Sequence, residues 1–141
     1  GAGGHLCSEM ARAFAKAGCS VAVLDLRIEK AKAIEDEIRT MGFDNVISLE
    51  IDVAKKDDHI TALNAIIAKF GKIDILVNGA GINGATPFFE IDLKEWYAIL
   101  DSQITGTFLG CQVFGEYMVK QGKGSIINIS SASLYEYPTP A

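Results

Sequence analysis

The sequence has few of the features that mark membrane or secreted proteins. No apolar run in its 141 residues approaches the length of a membrane-spanning helix, and no signal peptide precedes the first predicted helix. We therefore expect a cytoplasmic protein. No internal repeat, low-complexity segment or linker divides the chain, which predicts one domain over residues 1–141.

Cysteine and concentrated positive charge are also scarce. The three cysteines, Cys7, Cys19 and Cys111, are odd in number and lack the spacing of metal ligands. This favours buried, reduced thiols over disulfides, a redox pair or a metal site. The net charge is −5 and Lys and Arg are scattered along the chain, which argues against nucleic acid and anionic membranes as partners. A small-molecule ligand is the expected partner.

What the sequence does contain is a regular alternation of helical and strand patterns. Apolar residues recur at helical spacing, and short apolar runs of strand length lie between the helices. This alternation predicts an α/β fold with a parallel sheet. Asp92 and Glu95 are spaced as a capping box at the start of the longest helix. The predicted strands cover residues 20–24, 46–51, 73–77 and 124–130, and the predicted helices cover 6–17, 31–41, 60–70 and 92–120.

The beginning of the sequence departs from this order, because Gly1-Ala2-Gly3-Gly4 leads into the first helix with no strand before it. A doubly wound parallel sheet normally has that strand near its centre. Its absence would leave backbone groups of neighbouring strands unpaired. We therefore predict a doubly wound parallel sheet that lacks its first strand and its C-terminal elements. The hypothesis that follows is a piece of a longer protein.

Two features near this end are typical of a dinucleotide site. Gly1, Gly3 and Gly4 form a turn whose N–H groups, with the positive end of the helix dipole, suit a pyrophosphate, although a flexible terminus would also contain them. Asp25 follows Gly1 by 24 positions at a strand end, where a carboxylate accepts hydrogen bonds from ribose or caps an ordinary turn. This carboxylate would repel the 2′-phosphate of NADP and so favours NAD, while nearby Arg27 would soften the preference.

Two further strand ends carry candidate binding residues. Asp52 and Val53 follow a strand, where Asp52 would either contact an adenine edge or cap the next helix. The apolar run over 73–77 predicts a strand that helices cover on both faces. It leads into Asn78-Gly79-Ala80-Gly81, where the glycines allow close approach of a ring or sugar and Asn78 holds the turn. Ordinary strand-to-loop turns use the same residues.

The last predicted strand completes the set of motifs by ending in Asn128-Ile129-Ser130-Ser131. With this string, the ordered motifs resemble those of the short-chain dehydrogenase/reductase family along the whole chain. Gly79 stands where the family usually has a second Asn, and His5 and Cys7 stand where it usually has glycines. The resemblance implies a Rossmann-type sheet and an NAD-dependent oxidoreductase, and it is nearest to the sugar-acid and polyol reductases.

The resemblance also assigns roles to individual residues. It implies that Ser131 orients the substrate oxygen and that Gln103 replaces the Asn of a proton relay. Leu6, Ala80 and Gly81 are implied to bind the cofactor with the residues named above. The family's proton-transferring Tyr-x-x-x-Lys is not found in this sequence. We therefore expect the intact parent protein to move a hydride between nicotinamide and a secondary alcohol or ketone, and this chain alone to be inactive.

Two other functions stay open at this point. A parent without the Tyr-Lys pair would be a non-catalytic dinucleotide-binding or sensing protein, as Gln103 suggests. A methyltransferase that binds S-adenosylmethionine also uses a glycine turn and an acid at a strand end, although the Asn78 motif is not expected there. The longest helix has apolar residues on more than one face, which suits contact with a partner subunit, and the resemblance implies a homodimer or tetramer built partly through this helix. Burial of that helix between the sheet and other helices explains the same pattern, which comprises Trp96, Phe108, Phe114 and Tyr117.

Overall fold

The computed structural model describes residues 1–130 of the chain, and these residues form alternating helices and strands. The α/β alternation predicted from the sequence is confirmed. In chain order the elements are α1 (His5–Lys16), β1 (Val21–Asp25), α2 (Ile28–Thr40), β2 (Val46–Glu50), α3 (Lys56–Phe70), β3 (Ile75–Asn78), α4 (Leu93–Leu100), α5 (Gly106–Gln121) and β4 (Ser125–Asn128).

The four strands form two parallel pairs instead of one continuous sheet. Strand β1 pairs with β2 in a register that runs from Val21 opposite Val46 to Asp25 opposite Glu50. Strand β3 pairs with β4, and this register places Asn78 opposite Asn128. The parallel pairing is as predicted, and the interruption lies between β1 and β3.

The described residues form two hydrophobic cores, and residues of β1 and β2 take part in both. The first core joins α1 and α2 to β1 and β2, and its largest fully buried side chains are Val23, Ile38 and Val46. Burial of each such side chain contributes about 1.5–3 kcal/mol to folding. The second core joins α3 and α5 to β3, and its buried members include Ile66, Ile73, Val113, Phe114 and Met118.

The strand that was predicted to be covered on both faces is only partly covered. Within the described residues, Ile75 is 40% exposed and every residue of β4 is exposed. Among the described residues α5 packs against both strands, and the prediction that helices cover both faces is not confirmed. The apolar run over 73–77 therefore predicted a strand, which is present, but overestimated how far that strand is buried.

The longest predicted helix contains an insertion that the sequence pattern does not reveal. The Asp92 side chain accepts a hydrogen bond from the Glu95 N–H at 2.7 Å, so the predicted cap is confirmed. The helix then passes from α4 through a π-helical turn over Asp101–Thr105 into α5. A π turn adds one residue to a helical turn and so rotates the side chains that follow it.

The three cysteines are free thiols, but each is half-buried instead of buried. The prediction of buried thiols is therefore wrong on exposure.

Over residues 1–130, no helix is both long and apolar enough to cross a membrane.

Candidate functional site

The carboxyl ends of β1 and β3 meet at the glycine turn that was predicted to bind pyrophosphate. The Gly1 amino group donates to the Leu24 carbonyl at 3.1 Å, and the Ala2 N–H donates to the same oxygen at 2.8 Å. On its other side Gly1 packs so closely on Ala80 that an added Cβ would lie 2.8 Å from the Ala80 Cα. The fold therefore brings together two motifs that are almost 80 residues apart in the sequence.

The glycine turn leads directly into α1. The Gly4 N–H donates to the Gly1 carbonyl at 3.0 Å, and Leu6, in the first helical turn, is 54% exposed. A Cβ on Gly3 would lie 2.5 Å from the Lys30 Cβ, so only glycine allows the turn to approach α2 this closely. The first N–H groups of α1 have no partner within the helix and can meet an anion at this exposed turn.

Asp25 joins the glycine turn to the end of β1. Asp25 as a whole residue is 5% exposed, and its carboxylate accepts from the Gly3 N–H and the Arg27 N–H, each at 3.0 Å. Burial raises the pKa of Asp25, but the Arg27 N–H, the Gly1 amino group and the Gly3 N–H together outweigh burial and lower the pKa below its ordinary value. The Asp25 carboxylate is thus ionised at neutral pH, and its hydrogen bond to Gly3 holds the glycine turn against the end of β1. Each of its oxygens keeps a further lone pair for a ligand hydroxyl.

Cys7 stands beneath this turn where its thiol approaches the Gly79 carbonyl at 3.6 Å. Burial and the negative charge of Asp25 raise the pKa of Cys7, and the nearby Gly1 amino group only partly opposes them. The thiol is therefore protonated at neutral pH and acts as a packing group.

Asp52 and Val53 lie beside each other just after β2 but have different surroundings. Asp52 accepts from the Ala54 N–H at 3.1 Å and forms an ion pair with Lys55 at 3.3 Å. Lys55 occupies the position before α3, so the suggestion that Asp52 caps this helix is wrong. Val53 packs against Gly106 at the start of α5. A contact of Asp52 and Val53 with an adenine edge stays a prediction.

Asn78 is held in place at the end of β3. Its amide nitrogen donates to the Asn128 side chain at 2.9 Å and approaches the Cys111 sulfur at 3.4 Å. The strand register explains the first contact, because Asn78 and Asn128 are opposite each other. The absence of a side chain at Gly110 lets α5 lie against the Asn78 amide. Asn78 therefore joins the end of β3 to β4 and α5, and its predicted role in holding the turn over residues 78–81 stays a prediction.

Gln103 and Ser102 lie on the π turn and form hydrogen bonds with the loop after β3. The Ile82 N–H donates to the Ser102 hydroxyl at 3.2 Å, and the Gln103 amide nitrogen donates to the Ile82 carbonyl at 2.7 Å. Gly81 lies so close to Gln103 that an added Cβ would be 2.9 Å from the Gln103 Cγ. The Gln103 nitrogen thus has a structural partner, and its role in a proton relay stays a prediction.

Several residues of this region were not predicted from the sequence. Ser102 carries no signal apart from its place beside Gln103. His59 is 3% exposed, its Nε2 lies 2.8 Å from the Val53 carbonyl, and its ring meets Phe114 edge to face at 6.2 Å. Its position within a helix gave no indication of these contacts. Ser131, the predicted catalytic serine, lies outside the described residues.

Replacing Gln103 with leucine is expected to lower the free energy of unfolding by about 1 kcal/mol, because one partly exposed hydrogen bond to Ile82 is lost. Ser102→Ala should cost a similar amount. The losses of unfolding free energy in the two single variants should not add up to the loss in the double variant, because both side chains bond to Ile82. Urea unfolding measures all three, and Gln112→Leu on the exposed side of α5 is the control. Equal losses of unfolding free energy for Gln103→Leu and Gln112→Leu would show that the hydrogen bond to Ile82 does not stabilise the fold.

The comparisons with known proteins agree with this geometry. The family model for short chain dehydrogenases matches residues 1–139. D-threitol dehydrogenase of Mycolicibacterium smegmatis is 36% identical over 133 residues, which cover 93% of this chain and 50% of that protein.

Two solved structures have the same fold as this chain. A short-chain type dehydrogenase/reductase from Mycobacterium marinum is 32% identical with a TM-score of 0.93, over 99% of this chain and 57% of that one. A gluconate 5-dehydrogenase from Burkholderia cenocepacia, in complex with NADP and tartrate, is 32% identical with a TM-score of 0.86, over 99% and 54%. The chain spans about half the length of these relatives. On this match over nearly all its residues, the chain belongs to the short-chain dehydrogenase/reductase family.

Proposed function

We propose that the whole protein is an NAD-dependent oxidoreductase that moves a hydride between nicotinamide and the carbon of a secondary alcohol or ketone. The observation that carries this proposal is Asp25, an ionised and nearly buried carboxylate bonded to the glycine turn. It lies where the adenosine ribose of a dinucleotide meets a parallel sheet. Family membership supports the reaction class.

The charge of Asp25 supports NAD over NADP. A 2′-phosphate carries close to two negative charges and would meet a carboxylate that cannot turn away, because both its oxygens are bonded to backbone N–H groups. Arg27 and Lys30 lie near the same turn and would reduce the size of the preference. The related gluconate 5-dehydrogenase was solved with NADP, so the preference has to be measured for this chain.

The residues of this chain would bind and orient the reactants, whereas the nicotinamide supplies the chemistry of hydride transfer when bound. The N–H groups of the Gly1–Gly4 turn would receive the pyrophosphate, and Asp25 the adenosine ribose. The end of β3, which Asn78 joins to β4, would place Ala80 and Gly81 against the second ribose. Ser131 would donate a hydrogen bond to the substrate oxygen.

A polyol or sugar acid is the proposed substrate class. Two relatives are named for such substrates, D-threitol and gluconate. We further propose a cytoplasmic homodimer or tetramer. It would bury the exposed apolar side chains of α4, the π turn and α5, which include Trp96, Ile104 and Phe108.

A non-catalytic dinucleotide-binding protein is the second candidate function. It is favoured by Gln103, whose amide nitrogen is bonded to the Ile82 carbonyl at 2.7 Å instead of facing a ligand. This candidate shares the cofactor site with the first and differs from it in lacking turnover.

Equilibrium dialysis of the chain with NAD and with NADP tests the cofactor proposal. We expect NAD to bind at least about tenfold more tightly, which corresponds to roughly 1.4 kcal/mol. Asp25→Asn, which removes the charge but keeps an acceptor, should bring the two affinities together. A preference for NADP, or the same ratio in the variant, would contradict the assignment.

Turnover separates the two candidate functions. NADH formation from D-threitol or gluconate by the whole protein would establish the oxidoreductase, and NAD binding without turnover of any secondary alcohol would favour the binding protein. We expect the 141-residue chain alone to bind NAD and to produce no NADH.

A further inference from the structure

His59 is a buried, titratable side chain to which the proposed function gives no task. It lies in the first turn of α3 and is 3% exposed. Its Nε2 lies 2.8 Å from the Val53 carbonyl oxygen, and because a carbonyl can only accept, this nitrogen carries the ring proton and donates it. The ring also meets Phe114 of α5 edge to face. The imidazole therefore ties the backbone after β2 to two helices.

The residue before His59 makes a second bond to the same stretch of backbone. The Asp58 carboxylate accepts from the Asp52 N–H at 2.9 Å. Consecutive residues of α3 thus bond to consecutive residues after β2, one at an N–H and one at a carbonyl. The peptide group that joins Asp52 to Val53 lies between these two points, and it can turn only about the two soft dihedral angles that flank it. The two hydrogen bonds, here called the α3 clamp, therefore fix the direction of that peptide group.

Helix α5 holds the same stretch of backbone from another side. The Val53 side chain packs so closely on Gly106 that an added Cβ there would lie 2.7 Å from the Val53 Cγ2. The Val53 N–H, in contrast, has no acceptor within residues 1–130. The neighbouring Asp52 side chain is 32% exposed, and its carboxylate keeps lone pairs beyond its two local contacts. The α3 clamp thus positions an available donor next to an available acceptor.

A donor next to an acceptor matches the Watson–Crick edge of adenine. There N1 accepts a hydrogen bond and the 6-amino group donates one, whereas hypoxanthine has a donor at N1 and an acceptor at position 6. A site that is built to bond one of these patterns rejects the other, because its own polar groups are then left unpaired. The discrimination depends on how firmly the donor and acceptor are held, since a peptide group that can turn adapts to either base.

We propose that His59 is a positioning residue for the base of the dinucleotide, and that with Asp58 it makes the protein select adenine over hypoxanthine. His59 acts through the Val53 carbonyl and does not touch the base. This inference rests on the proposed function and on the predicted contact of Asp52 and Val53 with an adenine edge. It adds that the selectivity originates in α3 and not in the two residues that meet the base.

The test compares the binding of ADP and of inosine 5′-diphosphate to the whole protein by isothermal titration calorimetry. The native protein should bind ADP at least about tenfold more tightly. His59→Leu removes the donor, so it should lower the ADP affinity roughly tenfold, change the affinity for the inosine nucleotide little and bring the ratio near one. His59→Gln keeps an N–H close to the position of Nε2 and should recover most of the ratio.

The ratio of the two affinities separates positioning from stability, because a variant that is only destabilised loses both affinities by the same factor. Ile66→Ala, also on α3 and buried in the second core, is the matched control and should leave the ratio unchanged. Asp58→Ala removes the other bond of the α3 clamp and should lower the ratio. It provides the test if His59→Leu does not fold.

Four outcomes would overturn the inference. A native ratio in both His59→Leu and Asp58→Ala would show that the base is selected without the α3 clamp, and it would leave the cofactor proposal standing. Equal binding of the two diphosphates by the native protein would show that there is no selection to position. A glutamine variant as unselective as the leucine variant would assign the effect to the packing of the ring on Phe114. A native protein that binds neither NAD nor ADP would contradict the proposed function itself, and the inference would fall with it.

Discussion

Replacing Asp25 with alanine is expected to lower the free energy of unfolding by about 2–4 kcal/mol. The substitution leaves the Gly3 and Arg27 N–H groups without their acceptor. Each of these bonds is made to an ionised group, and such bonds contribute about 1.5–3 kcal/mol. Water replaces part of this contribution at the rim of the site. Urea unfolding of the two proteins measures the difference.

Glu50→Ala is the matched control for this variant. Glu50 is opposite Asp25 in the β1–β2 register, so it is also a carboxylate at a strand end, but it is exposed. The same change of charge there should alter stability by no more than about 0.5 kcal/mol. Comparable losses in the two variants would show that charge at this sheet edge, and not the two backbone hydrogen bonds, determines the effect of Asp25.

The loss in the Asp25→Ala variant should also depend on pH. The folded pKa of Asp25 is lowered, so its contribution is fully present above the ordinary value of 3.8 and is lost as the pH falls through the lower, folded value. The difference in unfolding free energy between the native protein and the variant should therefore be constant from neutral pH to about pH 5. It should shrink below pH 3.8. A difference that grew on acidification would mean that the folded pKa is raised.

The meeting of the carboxyl ends of β1 and β3 beside Gly1 could be anticipated from the sequence, because it follows from the shared direction of the predicted strands. In a parallel sheet the carboxyl ends of the strands share an edge, so the residues after β1 and β3 had to lie near each other. The cap at Asp92 was equally predictable, since it depends on residues three positions apart. Short-range chemistry and sheet direction are both visible in a sequence.

The hydrogen bonds of Ser102 and Gln103 to Ile82 could not be predicted from the sequence, and the reason is physical. A π turn adds one residue to a helix, and the apolar period before and after it stays close to 3.6 residues. Nothing in the pattern then shows that Ser102 and Gln103 turn together towards a loop 20 residues earlier. The partial exposure of β3 was not anticipated because an apolar run reports the preference of the side chains and not which neighbouring elements cover them.

Substituting Gly110 with alanine is expected to destabilise the protein by up to about 2 kcal/mol, although alanine is the better helix former. The new methyl group would overlap the Asn78 Oδ1 and lie 3.2 Å from its Cγ. Asn78 cannot yield without losing its bond to Asn128, so α5 has to move away from β3. Overpacking of this kind costs about 1–3 kcal/mol, which exceeds the gain of about 1 kcal/mol in helix propensity. Displacement of Asn78 should also weaken NAD binding.

Gly115→Ala provides the matched control in the same helix. A Cβ at Gly115 would meet only the end of the Ile126 side chain, at 3.5 Å, which is ordinary contact. The propensity term should then dominate, and this variant should be stabilised by about 0.5–1 kcal/mol with unchanged NAD binding. The pair should differ by about 2 kcal/mol in urea unfolding. If both variants gain stability, the Asn78 amide is free to move, and the bonds to Asn128 and Cys111 do not hold the end of β3 in position for a ligand.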